Sequence, residues 1–258
     1  MSRRCIPAAA IVCVLSIVAA PAHAQSASGA DSGSVRPQPD RDPDVPTFGE
    51  LFTLTLRDFR HLPSAGNLEW LAVGGAAALA THTADGETSR ILSESRTLET
   101  PLEAGAILGG APFELGAAFA AYGLGRAYGN RRIANAGADL VQAQLIAEVL
   151  TFAIKQAARR ARPEGSGYSF PSGHTTAAFA SATVLQQHFG WTIGLPAYAL
   201  AAYVGASRIH DRRHYLSDVA FGAALGTVAG RTVMVGRRHR MALSVVPSNG
   251  GAAIVVQK

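Results

Sequence analysis

Thiols are almost absent from this 258-residue chain: its 2 cysteines, Cys5 and Cys13, both lie near the N-terminal end. From Val14 onward there is nothing to form a disulfide or a thiolate metal site. Charge of one sign is also scarce. The formal net charge of +5 includes Arg3 and Arg4, and without them the chain is only mildly basic, short of the balance of a nucleic-acid binder. No nucleic-acid partner is expected. Alternating apolar and polar residues and dense β-branching, which a sheet needs, are missing from most of the chain, and no internal repeat is evident. The segment from Gln25 to about Pro46 has almost nothing to bury and reads as a disordered linker.

What is present begins with a targeting signal. Arg3 and Arg4 make a basic start, an apolar run follows from Ile6 to Ala20, and Ala22-His23-Ala24 supplies a small-x-small cleavage pattern. The expected signal peptide is 1–24, cleaved after Ala24, and it implies export to the cell envelope. An uncleaved anchor is the competing reading, against which the apolar run is shorter than the ~20 residues a span needs. Cys13 does not read as a lipidation site, because Ala10-Ile11-Val12 does not follow an apolar core of adequate length. The rest divides into a linker at 25–47, a helical domain at 48–240 and a tail at 241–258, where Met241–Val246 and Ala252–Gln257 flank Pro247-Ser248-Asn249-Gly250-Gly251 as a small hairpin.

The fold class expected is all-α, a bundle of about six helices. Phe48 to Phe59 reads as a short amphipathic helix broken at Pro63. Ala-, Gly- and Leu-rich segments then predict helices at Leu68–His82, Ala104–Gly125, Gly137–Arg160, His174–Phe189, Trp191–Ser207 and Leu216–Val235.

Three blocks mix residues that are costly to bury with turn residues at helix ends. The first runs from Lys155 to Arg162-Pro163, where Lys155 and Arg162, two turns apart on one predicted helical face, can point at a common anion. A basic helix end by itself is ordinary dipole complementation. The second is Tyr168-Ser-Phe-Pro171-Ser172-Gly173-His174, in which Ser172 is an N-cap, Gly173 lets an oxyanion approach the backbone, and helix-start N–H groups bind anions. The third is Ser207-Arg208 through His214 to Asp218, where a carboxylate one turn from an imidazole can orient it and fix its tautomer, and Arg208 offers a forked donor to phosphate oxygens. His210, Asp211, Arg212 and Arg213 read as substrate-facing or solvated residues, the solvated reading being favoured, and Arg159 and Arg160 fall outside the matched positions.

Lys-x6-Arg-Pro, then Pro-Ser-Gly-His, then Ser-Arg-x5-His-x3-Asp resembles in full the signature of the type 2 phosphatidic acid phosphatase (PAP2) and vanadium haloperoxidase superfamily, over roughly Ala104 to Val235. The resemblance implies a metal-independent phosphatase with no cofactor. In it His214 attacks phosphorus, Asp218 aligns His214, and His174 protonates the leaving oxygen and later activates water. Lys155, Arg162 and Arg208 would clamp the phosphoryl oxygens, with Ser172 and the Gly173 amide donating hydrogen bonds.

The superfamily holds integral lipid phosphatases, soluble periplasmic acid phosphatases and haloperoxidases, so substrate stays open at this point. Trp191–Ser207 is apolar enough to span a membrane and Ala104–Gly125 nearly so, while Asp139, Gln142, Gln144 and Glu148 weaken that reading for the third long helix. The expectation is an inner-membrane enzyme whose site faces the periplasm. Its partner would be a lipid phosphate or diphosphate, such as phosphatidate or a polyprenyl diphosphate. The alternatives are a soluble periplasmic acid phosphatase acting on small phosphate esters, a haloperoxidase, and a non-catalytic phosphate- or lipid-binding protein. The sequence carries no signal for oligomeric state.

Overall fold

Side-chain caps at Asn130 and Ser172 set the starts of two of the long helices. The computed structural model describes residues 45–248 and 251–256, so the expected signal peptide at 1–24 and nearly all of the expected linker at 25–47 lie outside the described residues. Helices α1 (Phe48–Asp58), α2 (Ala65–His82), α3 (Asp85–Glu94), α4 (Arg96–Leu102), α5 (Gly105–Leu108), α6 (Ala111–Ala127), α7 (Arg131–Ala158), α8 (Gly173–Phe189), α9 (Trp191–His210) and α10 (Leu216–Ala242) follow in order, with a short 3-10 turn at Phe59–His61. Strands β1 (Leu243–Ser248) and β2 (Gly251–Val256) pair antiparallel after α10. Asn130 caps α7 by accepting the Ile133 amide at 3.1 Å, and Ser172 caps α8.

The fold is the expected all-α one, with three local differences. The predicted Ala104–Gly125 helix is two, α5 and α6, because Gly109 and Gly110 interrupt it and Pro112 opens the next helix. The segment 83–103, read from sequence as polar connection, forms α3 and α4. The predicted Gly137–Arg160 helix starts earlier, at the Asn130 cap, and stops at Ala158, where Arg159 takes the left-handed conformation (φ 47).

Small residues let the long helices pack backbone to backbone. α10 lies against α8, α7 and α2, α9 against α8, and α6 against α7. On α10, Gly222, Gly226 and Gly230 recur every four residues: a Cβ at Gly226 would lie 2.2 Å from the Thr176 carbonyl oxygen, and one at Gly230 would lie 2.8 Å from Thr183 Cβ. Gly137 on α7 meets α6 equally closely, its added Cβ falling 2.2 Å from the Tyr122 amide nitrogen. Gly226→Val is therefore expected to cost about 3 kcal/mol by overpacking and to lower the melting temperature of the detergent-purified protein. Gly123→Ala, whose Cβ would meet nothing within 4 Å, should leave it unchanged or slightly raised. Equal melting temperatures for wild type and Gly226→Val would contradict the close approach.

Among the described residues, two helices are long and apolar enough to cross a bilayer, α7 and the Leu216–Arg238 part of α10, and most of each is buried inside the bundle. Trp191–Ser207, expected to qualify, does not, because Trp191, Pro196, Tyr198 and Tyr203 dilute its apolar character, and the split at Gly109 removes Ala104–Gly125. Of the four polar residues that weakened the reading of α7, three point inward and Glu148 is exposed. Asp139, Gln142 and Gln144 are buried, with Gln144 donating to the Ala177 carbonyl at 3.0 Å and to Ser181 Oγ at 2.8 Å.

Candidate active site

Lys155 and Arg162 do come together, but not as neighbours on one helix. The chain leaves α7 at Arg159, and residues 160–169 fold back through an Ala161–Tyr168 bridge and an amide bond from Ser169 to the Arg160 carbonyl at 2.7 Å. Gly165 and Gly167 make the reversal possible, at φ +88 and +72, where a side chain would strain. Lys155 Nζ donates to the Tyr168 carbonyl at 3.0 Å, and Arg162 Nε donates to the same oxygen at 3.3 Å. One shared acceptor thus sets the two cations side by side.

The start of α8 supplies the next group. Ser172 is fully buried, its Oγ accepts from the Thr175 amide at 3.4 Å, and it shares a second hydrogen bond with Thr175 Oγ1 at 2.8 Å. Gly173 opens the helix and His174 follows it. The α5–α6 junction lies directly over this turn: a Cβ on Gly109 would sit 3.1 Å from His174 Cβ and 2.3 Å from Val204 on α9. Glycine there is a requirement of close approach.

The last turn of α9 carries Arg208, which is buried and donates to Ser207 Oγ at 3.2 Å and to the Asp211 carboxylate. Its carbonyl accepts the amides of both Arg213 and His214, at 3.1 and 3.2 Å, and Arg212 adopts φ 55 to let the chain turn. This tight reversal aims His214 inward, 3% exposed. Asp211 pairs with Arg208 and Arg213 pairs with Glu164, and both residues are exposed at the rim, so they are ion-paired as well as solvated.

Asp218 occupies the first turn of α10 and is fully buried. Its Oδ2 accepts the Tyr215 amide at 2.8 Å and stands 3.7 Å from His214 Nδ1, just beyond hydrogen-bond distance. Its Oδ1 accepts from Arg160 Nη1 at 2.8 Å, and its carbonyl accepts the Ser172 amide at 3.1 Å. Arg160, outside the motif positions matched in the sequence, also binds Ser217 Oγ at 2.7 Å and Asp85 at 2.7 Å, with its guanidinium 4.1 Å from the centre of the Tyr215 ring. Asp85 was missed altogether. It stands far upstream of the three motifs, in a stretch with no periodicity, and only its position at the start of a helix carried any signal.

The electrostatics follow from burial beside fixed cations. Burial pushes the His174 imidazole down to about 4, and the charges of Arg208 and Arg162 add to that. Burial also holds His214 below the ordinary imidazole value, with Lys155 and Arg162 acting in the same direction and Asp218 opposing. Both rings are neutral at physiological pH in the free protein. The arrangement offers a neutral imidazole nucleophile with a buried carboxylate behind it, a second imidazole, and cations where oxyanion charge would develop. Among the described residues, no three His, Cys, Asp or Glu side chains are grouped to hold a metal ion.

Residues 154–242, which contain all three motifs, match the model of the PAP2 superfamily. A stretch of 76 residues, 28% of this chain, is 43% identical to the lipid A 1-phosphatase of Porphyromonas gingivalis, covering 17% of that protein. A stretch of 112 residues, 39% of this chain, is 36% identical to the decaprenylphosphoryl-5-phosphoribose phosphatase of Mycobacterium tuberculosis, covering 58% of it. The chain thus spans only part of the length of these relatives. Its fold is similar to that of the transmembrane PAP2 type phosphatidylglycerolphosphate phosphatase of Bacillus subtilis, with a TM-score of 0.54 at 21% identity over 74% of this chain and 96% of the other. It is also similar to LpxE of Aquifex aeolicus, with a TM-score of 0.50 at 23% identity over 59% of this chain and 95% of the other. The segment that carries the three converging motifs, about a third of the chain, is the part that is similar to the PAP2 superfamily.

Proposed function

We propose that this protein is a metal-independent phosphatase that hydrolyses lipid phosphates or diphosphates through a phosphohistidine on His214. The observation that carries the reading is the convergence of His214, His174, Asp218, Lys155, Arg162 and Arg208, from three separate segments, on one end of the bundle. With Nδ1 facing Asp218, the lone pair on His214 Nε2 is free to attack phosphorus while the bond to the leaving oxygen breaks. His174, protonated once the phosphate dianion is bound, gives that oxygen its proton. It then takes a proton from water, whose oxygen attacks the phosphohistidine and releases phosphate and free His214. Closing the 3.7 Å gap between His214 Nδ1 and Asp218 Oδ2 by less than ~1 Å gives the hydrogen bond that stabilises the charged ring, and such bonds commonly tighten only with substrate present. Lys155, Arg162 and Arg208 hold the phosphoryl oxygens. Ser172 donates its proton to them when Thr175 supplies the proton of the bond they share, and the Gly173 amide adds a backbone donor.

Two observations favour a lipid substrate and a membrane setting. Large apolar side chains face outward on several helices, among them Leu79 on α2 at 78%, Phe152 on α7 at 65% and Leu195 on α9 at 66% exposure. The named activities of both sequence relatives are on lipid-linked phosphates. Phosphatidate and polyprenyl diphosphates fit these features, and a cleft of about 410 Å³ beside the site, lined by Ser89, Arg90, Pro163 and Arg212, has room for polar headgroup atoms. Arg126, Arg131, Arg132, Arg237 and Arg238 lie at the far end of the bundle, which supports an inner-membrane orientation with the site facing the periplasm. The soluble acid phosphatase reading draws on the burial of α7 and α10, which core helices of a soluble protein share.

The test uses purified protein, phosphatidate and a polyprenyl diphosphate dispersed in detergent, and EDTA throughout. Phosphate release together with acid-labile, base-stable labelling of the protein is the expected result. No release from any phosphate ester, or release abolished by EDTA, would overturn the reading. Recovery of the protein from cells in an alkaline, detergent-free wash would replace the membrane version with the soluble one.

A further inference from the structure

We propose that Asp85, on α3, is a positioning residue for the reaction, acting through Arg160 and Ser217 on the orientation of Asp218. The inference rests on the phosphatase reading above and extends it to a helix that none of the three motifs includes.

Asp85 is 4% exposed, and its two oxygens are fully committed. Oδ1 accepts the Ser217 amide at 2.8 Å, and Oδ2 accepts Ser217 Oγ at 2.6 Å and Arg160 Nη2 at 2.7 Å, with His82 Nδ1 at 3.1 Å on the outer side. Burial raises its carboxyl, but the hydrogen bonds from Arg160 and Ser217 outweigh that and leave it below the usual carboxylate range, so it is charged at neutral pH. Arg160 is therefore a bridge between two carboxylates. Its Nη1 ends on Asp218 Oδ1, and this settles which oxygen of Asp218 is left to face His214. Ser217 is the residue next to Asp218, and Asp85 grips it by both its amide and its hydroxyl, which fixes the first turn of α10 from outside.

The sense of the arrangement is that of an outer partner to a reacting pair: it holds rotation and charge without touching substrate. Without Asp85, the Arg160 guanidinium has one carboxylate in place of two. It draws on Asp218 more strongly and offsets more of the negative charge that His214 needs as it becomes cationic. The consequence falls on the chemical step and leaves the phosphate-binding cations untouched.

Asp85→Asn keeps the shape and part of the hydrogen bonding, and it is expected to lower kcat about tenfold with little change in KM, by analogy with outer partners of ligating groups. In an Asp218→Asn background the same change should cost nothing further, because the carboxylate through which it acts is gone. A merely structural role predicts the opposite: the same loss in both backgrounds, with a lower melting temperature. Asp85→Asn with wild-type kcat, or equal losses in both backgrounds, overturns the inference. If Asp85→Asn is not recovered folded, Ser217→Ala, which removes both contacts of that hydroxyl, to Asp85 and to Arg160, but keeps the Asp85–Arg160 ion pair, is put through the same cycle: a loss confined to the Asp218 background supports the inference, and no loss or equal losses overturn it. Failure of the phosphatase reading is distinguishable, since the wild type itself would then release no phosphate.

Discussion

Replacing His214 with alanine is expected to abolish turnover, lowering kcat by ~10⁴-fold or more, because a covalent route with no nucleophile leaves only binding and charge stabilisation to assist water. His214→Ala should also lose the acid-labile label that the wild type acquires. Asp218→Asn is expected to fall less far, by ~10²–10⁴-fold, with the label forming slowly, since an amide still accepts the Tyr215 amide but no longer balances the imidazolium. His210→Ala should be nearly inert: that ring lies on the same loop, 3.4 Å from Asp211, and belongs to the rim. The measurement is single-turnover phosphate release and labelling in parallel. A His214→Ala protein with wild-type turnover would end the phosphohistidine proposal, and a His210→Ala protein with the same deep loss would move the nucleophile to His210.

The second large effect belongs to His174, and its size should depend on the leaving group. For an alkoxide leaving group, which needs a proton, His174→Ala is expected to cost ~10³-fold, the middle of the range for general acids. For p-nitrophenyl phosphate the first step needs little help, so nitrophenol should appear in a burst of one equivalent, followed by slow release as the phosphohistidine waits for an activated water. Equal losses for both substrates, without a burst, would remove His174 from proton transfer. The pH dependence follows from the same residue. In the free protein His174 is held at about 4, and a bound phosphate or vanadate dianion, being opposite in charge to the protonated ring, raises that value. Binding then takes up a proton, so oxyanion affinity should rise as pH falls from about 7 to about 5. The linkage for folding runs the other way: both buried histidines bind protons less readily folded than unfolded, so stability declines as pH falls from about 6.5 toward the folded value.

The residues proposed to react were nominated from spacing in the sequence, and the structure gathers them: Arg208, His214 and Asp218 lie within one reversal and one helical turn, and Ser172-Gly173-His174 is a helix start. How Lys155 meets Arg162 was not. Two turns of ideal helix and a fold-back ending on the Tyr168 carbonyl bring the same two side chains together, and only the left-handed Arg159 and the glycines at 165 and 167 distinguish them. Asp85 and the role of Arg160 escaped because their partners, Ser217 and Asp218, are remote in the chain, and a tertiary carboxylate–guanidinium bridge leaves no local pattern. The split at Gly109 was readable in principle from Gly109-Gly110-Ala111-Pro112. The reason for it, contact with His174, was not.

The amide of Ser172 bonds to the carbonyl of Asp218, and Gly222 rests against the carbonyl of Ser172. The helix that begins at Gly173 and the helix that begins at Leu216 are thus registered to each other through main-chain contacts. In the proposed reaction, with His214 attacking and His174 protonating, those contacts would set the gap between the two steps independently of how side chains repack. Variation in the substrates such a phosphatase accepts would then enter from the short helices and turns around that frame, where sequence can drift while the spacing across the phosphorus stays the same.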